Sequence, residues 1–132
     1  MKNDSEKTTA QLIKELTPIF NEFVRRRDAG NGCISCGAPH PTDAGHLFKV
    51  STHPEMRFMP MNTHLQCRAC NSLDDGNYEA YCDGIVARYG SQYLQDVIQE
   101  SIRLRQMKIK WSRSELVELK KYYQKEIKRL KS

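Results

Sequence analysis

The sequence predicts a mainly helical α+β fold, and three observations support this class. Apolar residues recur at helical spacing in residues 8–28 and again in residues 78–131. Between these parts, residues 44–61 hold two apolar runs separated by a turn-forming segment, which is typical of a β-hairpin. Two Cys-x-x-Cys pairs flank this central segment. We expect one domain spanning residues 1–132, since this length can bury one modest core.

Within that domain, the N-terminal helical segment is expected at residues 8–28. Its core-facing positions share the helical period: Leu12, Ile13, Leu16, Ile19, Phe20, Phe23 and Val24. Pro18 interrupts this run, and Thr17 is a good N-cap residue, so we expect a break or kink there. Three arginines at 25–27 followed by Gly30 predict the end of the helix.

The four paired cysteines, at 33, 36, 67 and 70, are the strongest motif of the chain. Two Cys-x-x-Cys turns can present four thiolates to one Zn²⁺ in a tetrahedral site. A site closed by four thiolates has no open position for chemistry, so we expect this zinc to be structural. Cys82 lies well downstream of the second pair and is excluded from the site.

A zinc-bound core is therefore expected over residues 30–75. Ala44 to Val50 is predicted as the first strand and Met56 to Met61 as its partner, with a turn at residues 52–55. A short helix is expected to begin near Arg68.

Residues 76–132 are predicted to be helical. One helix is expected from Tyr78 to Tyr89, a second begins after Ser91 as its cap, and Ser112 with Glu115 forms a capping box for the last. The last helix has an apolar seam that either packs on the body of the protein or forms a homodimer: Leu116, Leu119, Tyr123, Ile127 and Leu130.

The charge of the chain is unevenly distributed. Residues 101–132 hold eleven Lys and Arg against three Glu, whereas the whole chain carries +5. This basic C-terminal region favours a partner that carries phosphates. The N-terminus lacks the apolar stretch of a signal peptide, and no run is apolar enough for a transmembrane helix, so a cytoplasmic protein is expected.

His46 is the candidate catalytic residue. It lies on the first predicted strand between the two cysteine pairs, and Asn71 follows the second pair directly. A histidine held near neutrality can take a proton from water, and a divalent cation can stabilise charge on a phosphodiester. A zinc-held His and Asn therefore suggest a nuclease with one catalytic metal.

Several short motifs together resemble the phage recombination endonuclease family called NinG or Rap, which has the HNH, or ββα-metal, nuclease site. They are Asp43-Ala-Gly-His46, Arg57-Phe58, Asn62-Thr-His64-Leu-Gln-Cys67, Cys70-Asn71, Gly76-Asn77 and Ile85-Val-Ala-Arg88-Tyr-Gly90. The resemblance covers residues 20–125. It implies a DNA endonuclease that cuts branched DNA, such as Holliday junctions and D-loops, during phage recombination, in the cytoplasm of a bacterial host.

The resemblance also implies roles for individual residues. His46 matches the general base, Asn71 a ligand of a catalytic Mg²⁺ or Mn²⁺, and Asn62 the residue that braces the base through backbone hydrogen bonds. Many HNH sites have an acid or His directly before the base, where this chain has Gly45. Asp43 replaces it only if a bulge turns its side chain, and Asp74 is the alternative or additional ligand.

Sequence-independent contacts to DNA phosphates are expected from a set of basic residues: Arg57, Lys120, Lys121, Lys125 and Lys128. Two other functions stay open. One is an HNH nickase or endonuclease acting on ordinary duplex DNA. The other is a non-catalytic zinc-finger module that binds DNA, in which Gly45 marks a degenerate site.

Overall fold

The computed structural model describes residues 3–73 and 75–132, apart from the side chain of residue 73. It confirms the mainly helical α+β class. The elements, in chain order, are α1 (Thr9–Arg27), β1 (Asp43–His46), β2 (Thr63–Gln66), α2 (Tyr78–Tyr89), α3 (Ser91–Gln106) and α4 (Arg113–Lys131). None of the helices in these described ranges is long and apolar enough to cross a membrane.

Helix α1 runs without interruption through Pro18, so of the break or kink expected there, the break is wrong. The helix begins at a capping box formed by Thr8 and Gln11, and the Thr17 hydroxyl donates to the carbonyl of Ile13 at 2.7 Å. Leu16 and Phe20, on either side of the proline, are fully buried. Burial of this face outweighs the hydrogen bond that the proline cannot donate.

The β-hairpin is shorter than predicted, and its second strand lies elsewhere. β1 ends at His46, and it pairs antiparallel with β2 from Asp43 opposite Gln66 to His46 opposite Thr63. The predicted partner strand, 56–61, belongs instead to the connection between the strands, with 3-10 turns at Pro54–Met56 and Pro60–Asn62. Prolines favour these turns because they fix φ and lack an N–H for a ladder.

The capping residues predicted from the sequence mark the start of α4 correctly but not the start of α3. α4 begins at the predicted capping box, in which the Ser112 hydroxyl accepts from the Glu115 backbone and the Glu115 side chain accepts in return. The N-cap of α3 is Gly90 at φ +94°, and Ser91 is its first residue rather than its cap. The left-handed backbone at this junction favours glycine.

Two hydrophobic clusters form the core. The first joins α1 to α4, and it buries Leu116, Tyr123 and Ile127 of the predicted seam with Leu119 and Leu130 at its edge. The seam of α4 is therefore covered by α1 of the same chain. The second cluster joins the hairpin connection to α2 and α3 around the buried Tyr81 and Ile85.

Helix α2 packs directly on the first cysteine turn. A Cβ on Gly84 of α2 would lie 1.7 Å from the carbonyl oxygen of Ile34, so only glycine permits this approach. The backbone N–H of Ile34 donates to the carbonyl of Leu65 on β2 at 2.9 Å. The turn is thus fixed between the hairpin and α2.

Candidate metal centre and catalytic site

The four paired cysteines converge on one point. The Sγ atoms of Cys33, Cys36, Cys67 and Cys70 all lie within 4.8 Å of one another. The Cys36 and Cys67 sulfurs are 3.7 Å apart, close to the roughly 3.8 Å between sulfurs of a tetrahedral Zn²⁺ site with 2.3 Å bonds. These residues therefore form a cluster that can hold a metal such as zinc.

Hydrogen-bond donors lie around the sulfurs, but in the metal-free cluster the pKa of Cys33 is lowered whereas the pKa values of Cys36 and Cys70 are raised. The Asn77 amide donates to the Cys70 sulfur at 3.4 Å, and the backbone N–H of Cys70 lies 3.5 Å from the Cys67 sulfur. Burial opposes ionisation of Cys33, but backbone N–H groups of this cluster lower the pKa of its thiol to about 7. Such outer contacts orient ligands and stabilise their charge. Asn77, which has a left-handed backbone (φ +45°), belongs to the Gly-Asn pair noted in the sequence.

His46 lies at the end of β1, on the side facing α1. Its Nε2 is 2.8 Å from the carbonyl oxygen of Arg57. Because a carbonyl only accepts, Nε2 carries the proton in the neutral ring, and Nδ1 holds the free electron pair. Burial is the main cause that lowers the pKa of His46 below its ordinary value. The ring is therefore neutral at pH 7 and can accept a proton at Nδ1.

A small cavity of about 180 Å³ adjoins His46. Its walls come from α1 and from the hairpin connection: Thr17, Phe20, Asn21, Val50, Arg57 and Phe58. The α1 residues were not anticipated from the sequence, since their spacing indicated only a helix. The N-terminal helix therefore contributes a wall to the site.

Asn62 is fully buried and holds the connection between the strands together. Its side-chain oxygen accepts from the Phe48 N–H at 2.9 Å, while its amide donates to the carbonyls of Phe48 and Met56 at 3.1 and 3.2 Å. The Arg57 carbonyl that accepts from His46 follows Met56 directly. These contacts join the backbone at residue 48 to the backbone at residue 56.

The structure brings Asp43 and Asn71 together. The Asn71 amide donates to the Asp43 carboxylate at 3.1 Å, and Arg68 lies 3.3 Å from the other carboxylate oxygen. β1 is regular, so the bulge that would turn Asp43 towards the face of His46 is absent. Strand alternation places Asp43 and His46 on opposite faces of β1. Asp74, the other candidate acid, lies outside the described residues.

Asp43 is ionised at neutral pH. Partial burial opposes its ionisation, but hydrogen bonds from Asn71, Arg68 and Thr42 hold the pKa of its carboxyl below the usual value. With the Asn71 amide donating to Asp43, the Asn71 side-chain oxygen is the atom left for a cation. A carboxylate and an amide oxygen are ligands that Mg²⁺ accepts.

Packing explains why position 45 is a glycine. A Cβ there would lie 2.0 Å from the side-chain oxygen of Gln66, which is fully buried. The Gln66 amide donates to the Gly76 carbonyl and the Ser35 hydroxyl, at 2.7 and 2.9 Å, which fixes its orientation. The space that a ligand side chain at 45 would need is therefore filled by Gln66.

A buried hydrogen-bond chain leads to the residue before His46. Tyr81 donates to the Gly45 carbonyl at 2.7 Å, so its oxygen accepts from His64 Nδ1 at 3.1 Å. The remaining ring nitrogen of His64 then accepts from the Tyr93 hydroxyl at 2.9 Å. Burial, followed by the cation of Arg27, lowers the pKa of His64 to about 4.

This His64 pKa predicts a specific loss of stability in acid. The unfolded ring has a pKa near 6.5, so below that pH the unfolded state binds a proton that the folded state excludes. The contribution of His64 to the unfolding free energy is fully present above pH 6.5 and decreases as the pH falls towards 4. Relative to His64→Gln, the wild type should lose about 2 kcal/mol of unfolding free energy between pH 7 and pH 5. Denaturant titrations of both proteins measure this difference, and parallel pH curves would contradict it.

The candidate DNA-binding residues divide into two groups. Lys120 is mostly buried, and its ammonium pairs with Asp4 at 3.1 Å and Glu15 at 2.9 Å, so it links α4 to the N-terminal part of the chain. Lys121, Lys125 and Lys128 are exposed on α4. The Arg57 side chain lines the cavity beside His46. Lys121 lies 3.8 Å from Glu118, whereas Lys125 and Lys128 form no ion pair with the described residues.

Comparisons with known proteins agree with the motifs of the sequence. A family model described as Bacteriophage Lambda NinG protein matches residues 1–132. The protein ninG of Escherichia phage lambda is 31% identical over 128 residues, which cover 96% of this chain and 60% of that protein. Protein ninG of Salmonella phage P22 is 32% identical over 127 residues, or 95% of this chain and 60% of the relative. The chain spans about 60% of the length of these relatives. No solved structure matches the chain.

Proposed function

The chain belongs to the NinG family of phage lambda-like proteins, and from this premise we propose that it is a metal-dependent endonuclease of the HNH type that cuts branched DNA during phage recombination. One observation carries the proposal. His46 is a neutral histidine whose Nε2 is bound to a backbone carbonyl and whose Nδ1 keeps its electron pair. This is the state that a general base requires.

The proposed mechanism assigns each step to residues of the site. His46 Nδ1 takes a proton from the attacking water as the water oxygen bonds to phosphorus, and the Arg57 carbonyl stabilises the ring as it becomes charged. The bond from phosphorus to the leaving sugar oxygen breaks, and that oxygen takes a proton from solvent water. Asn62 keeps that carbonyl in place through its bonds to Phe48 and Met56. Asp43 lies on the face of β1 opposite His46, so its proposed role is to orient Asn71, whose side-chain oxygen would hold Mg²⁺ or Mn²⁺. When bound, this ion supplies Lewis-acid stabilisation of charge on the phosphate.

Two features support an HNH-like core. The hairpin is followed by the helical turn Ala69–Leu73, which carries Asn71, so the order is strand, strand, helix. The cysteine cluster joins the start of this unit to its end and would fix His46 relative to Asn71 once zinc is bound.

Branch selectivity is proposed from the basic surface. The exposed lysines of α4 can bind DNA phosphates whatever the base sequence. Such contacts suit an enzyme that recognises the shape of a DNA branch. A nuclease on ordinary duplex DNA would use the same site and differ only in substrate preference.

One observation favours the non-catalytic alternative. Within residues 3–73 and 75–132, the four cysteines form the only group of three or more His, Cys, Asp or Glu side chains that could hold a metal. A second metal site would therefore depend on Asn71, or on Asp74 outside these ranges. The two readings differ in whether DNA is cut.

The test is cleavage of an end-labelled four-way junction and of a linear duplex with the sequence of one of its arm pairs. We expect Mg²⁺- or Mn²⁺-dependent cuts in the junction and few in the linear duplex. Equal cutting of both DNAs would indicate the duplex nuclease. Tight binding without cuts under either metal would indicate the non-catalytic module.

A further inference from the structure

Tyr122 is a large aromatic residue that lies between two different surfaces of α4. Its side chain is 52% exposed, whereas its neighbour Tyr123 is buried. The two rings meet edge to face, with centroids 5.1 Å apart and planes at 77°. The Tyr122 ring therefore packs against the buried Tyr123 ring, and about half of the Tyr122 side chain is open to solvent.

On one side of Tyr122 lies a groove of about 620 Å³ between α3, α4 and the hairpin connection, here called the aromatic groove. Its apolar walls are Phe58, Met59, Leu104, Ile109, Trp111 and Leu119. Its rim is mostly acidic, with Glu55, Glu100, Glu115 and Glu118 against Arg103. The groove favours a flat apolar group and disfavours a phosphate.

On the other side of Tyr122 lies a lysine strip made of Lys121, Lys125 and Lys128. All three side chains are exposed. Lys121 lies 3.8 Å from Glu118, whereas Lys125 and Lys128 form no ion pair with the residues that the structure describes. Their spacing of three and four residues places them along one face of the helix. The strip therefore favours a chain of negative charges.

We propose that the aromatic groove and the lysine strip together bind single-stranded DNA. An unpaired base stacks on Tyr122 at the mouth of the groove, and the adjoining phosphates follow the lysine strip. Aromatic platforms beside basic residues are the usual means of binding single strands without sequence preference. The acidic rim repels the phosphates and keeps them on the lysine strip, so the bases point towards the aromatic groove.

Charge distribution favours this occupant over others. A basic peptide would match the acidic rim but would be repelled by Lys121, Lys125 and Lys128. Duplex DNA would match the lysines but keeps its bases stacked, so Tyr122 could not contact a base face. The inference deepens the proposed function, because a branch point supplies bases that are unpaired or easily unpaired.

The first test measures binding of a fluorescently labelled twelve-residue oligo-dT by anisotropy. Tyr122→Leu should weaken binding about tenfold to a hundredfold, because it keeps apolar cover but removes the stacking face. Tyr122→Phe should bind like the wild type. Tyr78→Leu is the matched control, since Tyr78 on α2 is 48% exposed but lies outside both surfaces. Binding of a labelled duplex should not depend on Tyr122.

The second test measures the salt dependence of the same binding. The double variant Lys125→Gln/Lys128→Gln should reduce the slope of log K against log salt by about 1.4, since each single-strand phosphate contact contributes about 0.7. Lys14→Gln/Lys110→Gln removes two exposed lysines elsewhere and should weaken binding less. An equal effect of both double variants would overturn the lysine strip as the binding surface.

These tests separate the inference from the proposed nuclease. Wild-type oligo-dT binding by Tyr122→Leu would overturn the inference, whatever the result for cleavage. Unchanged oligo-dT binding by His46→Ala is expected, because His46 lies outside both surfaces. Tyr122-dependent binding in a protein that cuts no DNA would overturn the nuclease and leave the single-strand site in place.

Discussion

Cys70→Ser should abolish the cooperative unfolding transition of the protein, because the variant no longer folds completely. Structural zinc in small domains contributes on the order of 10 kcal/mol, comparable with the entire stability of a domain of this size. The four cysteines join the first cysteine turn to the end of β2 and to the helical turn Ala69–Leu73. Without zinc, the hairpin, α2 and α3 lose the crosslink that fixes them. Thermal unfolding followed by near-ultraviolet circular dichroism measures this loss.

Cys82→Ser is the matched control for this prediction. Cys82 is also a thiol, but it lies on α2 outside the cluster and packs at the edge of the second hydrophobic cluster. It should retain one equivalent of zinc and melt near the wild-type temperature. A strong chelator added to the wild type should reproduce the Cys70→Ser result. A chelated protein that melts like the wild type would contradict a structural role for the metal.

His46→Ala should reduce the rate of DNA cleavage by about a hundredfold to ten-thousandfold, the usual contribution of a general base. The loss should appear in kcat, and binding of DNA should be unchanged. The acidic limb of the wild-type pH profile should lie below pH 6.5, because burial lowers the pKa of His46. His46 is competent above its pKa, so activity due to this group rises with pH and is level by pH 7.

His40→Asn is the control for the loss of a histidine. His40 is exposed and has a left-handed backbone (φ +59°), which asparagine tolerates. Its activity should match the wild type. Added imidazole should restore part of the His46→Ala activity if the ring acts as a base, whereas a merely structural role predicts no rescue. Normal cleavage by His46→Ala would remove His46 from the mechanism.

The parts of the fold that local sequence determines were predicted well. The capping box at Ser112 and Glu115 places the start of α4, and the cysteine spacing indicates the metal cluster. The prediction misplaced the second strand because Met56 and Phe58 are as apolar as strand residues. They are buried, but they lie in turns of the connection between β1 and β2. The break at Pro18 was wrong because packing against α4 is a tertiary effect that a local signal does not contain.

The candidate site required contacts that no local pattern reveals. Asp43 and Asn71 are far apart in sequence and meet only when the hairpin is joined to the following turn. The reason for Gly45 lies in the buried Gln66 side chain on the opposite strand. The tautomer of His46 depends on the Arg57 carbonyl in the connection. The identities of His46, Asn62 and Asn71 as candidates came from the sequence, whereas their partners came from the fold.

The most direct test of the central claim is cleavage of an end-labelled four-way junction by wild type and His46→Ala, both shown beforehand to carry one zinc and to bind the junction equally. The account predicts Mg²⁺- or Mn²⁺-dependent cuts by the wild type and their near-complete loss in the variant. Junction binding without cuts by the wild type, or equal cutting by both proteins, would contradict it.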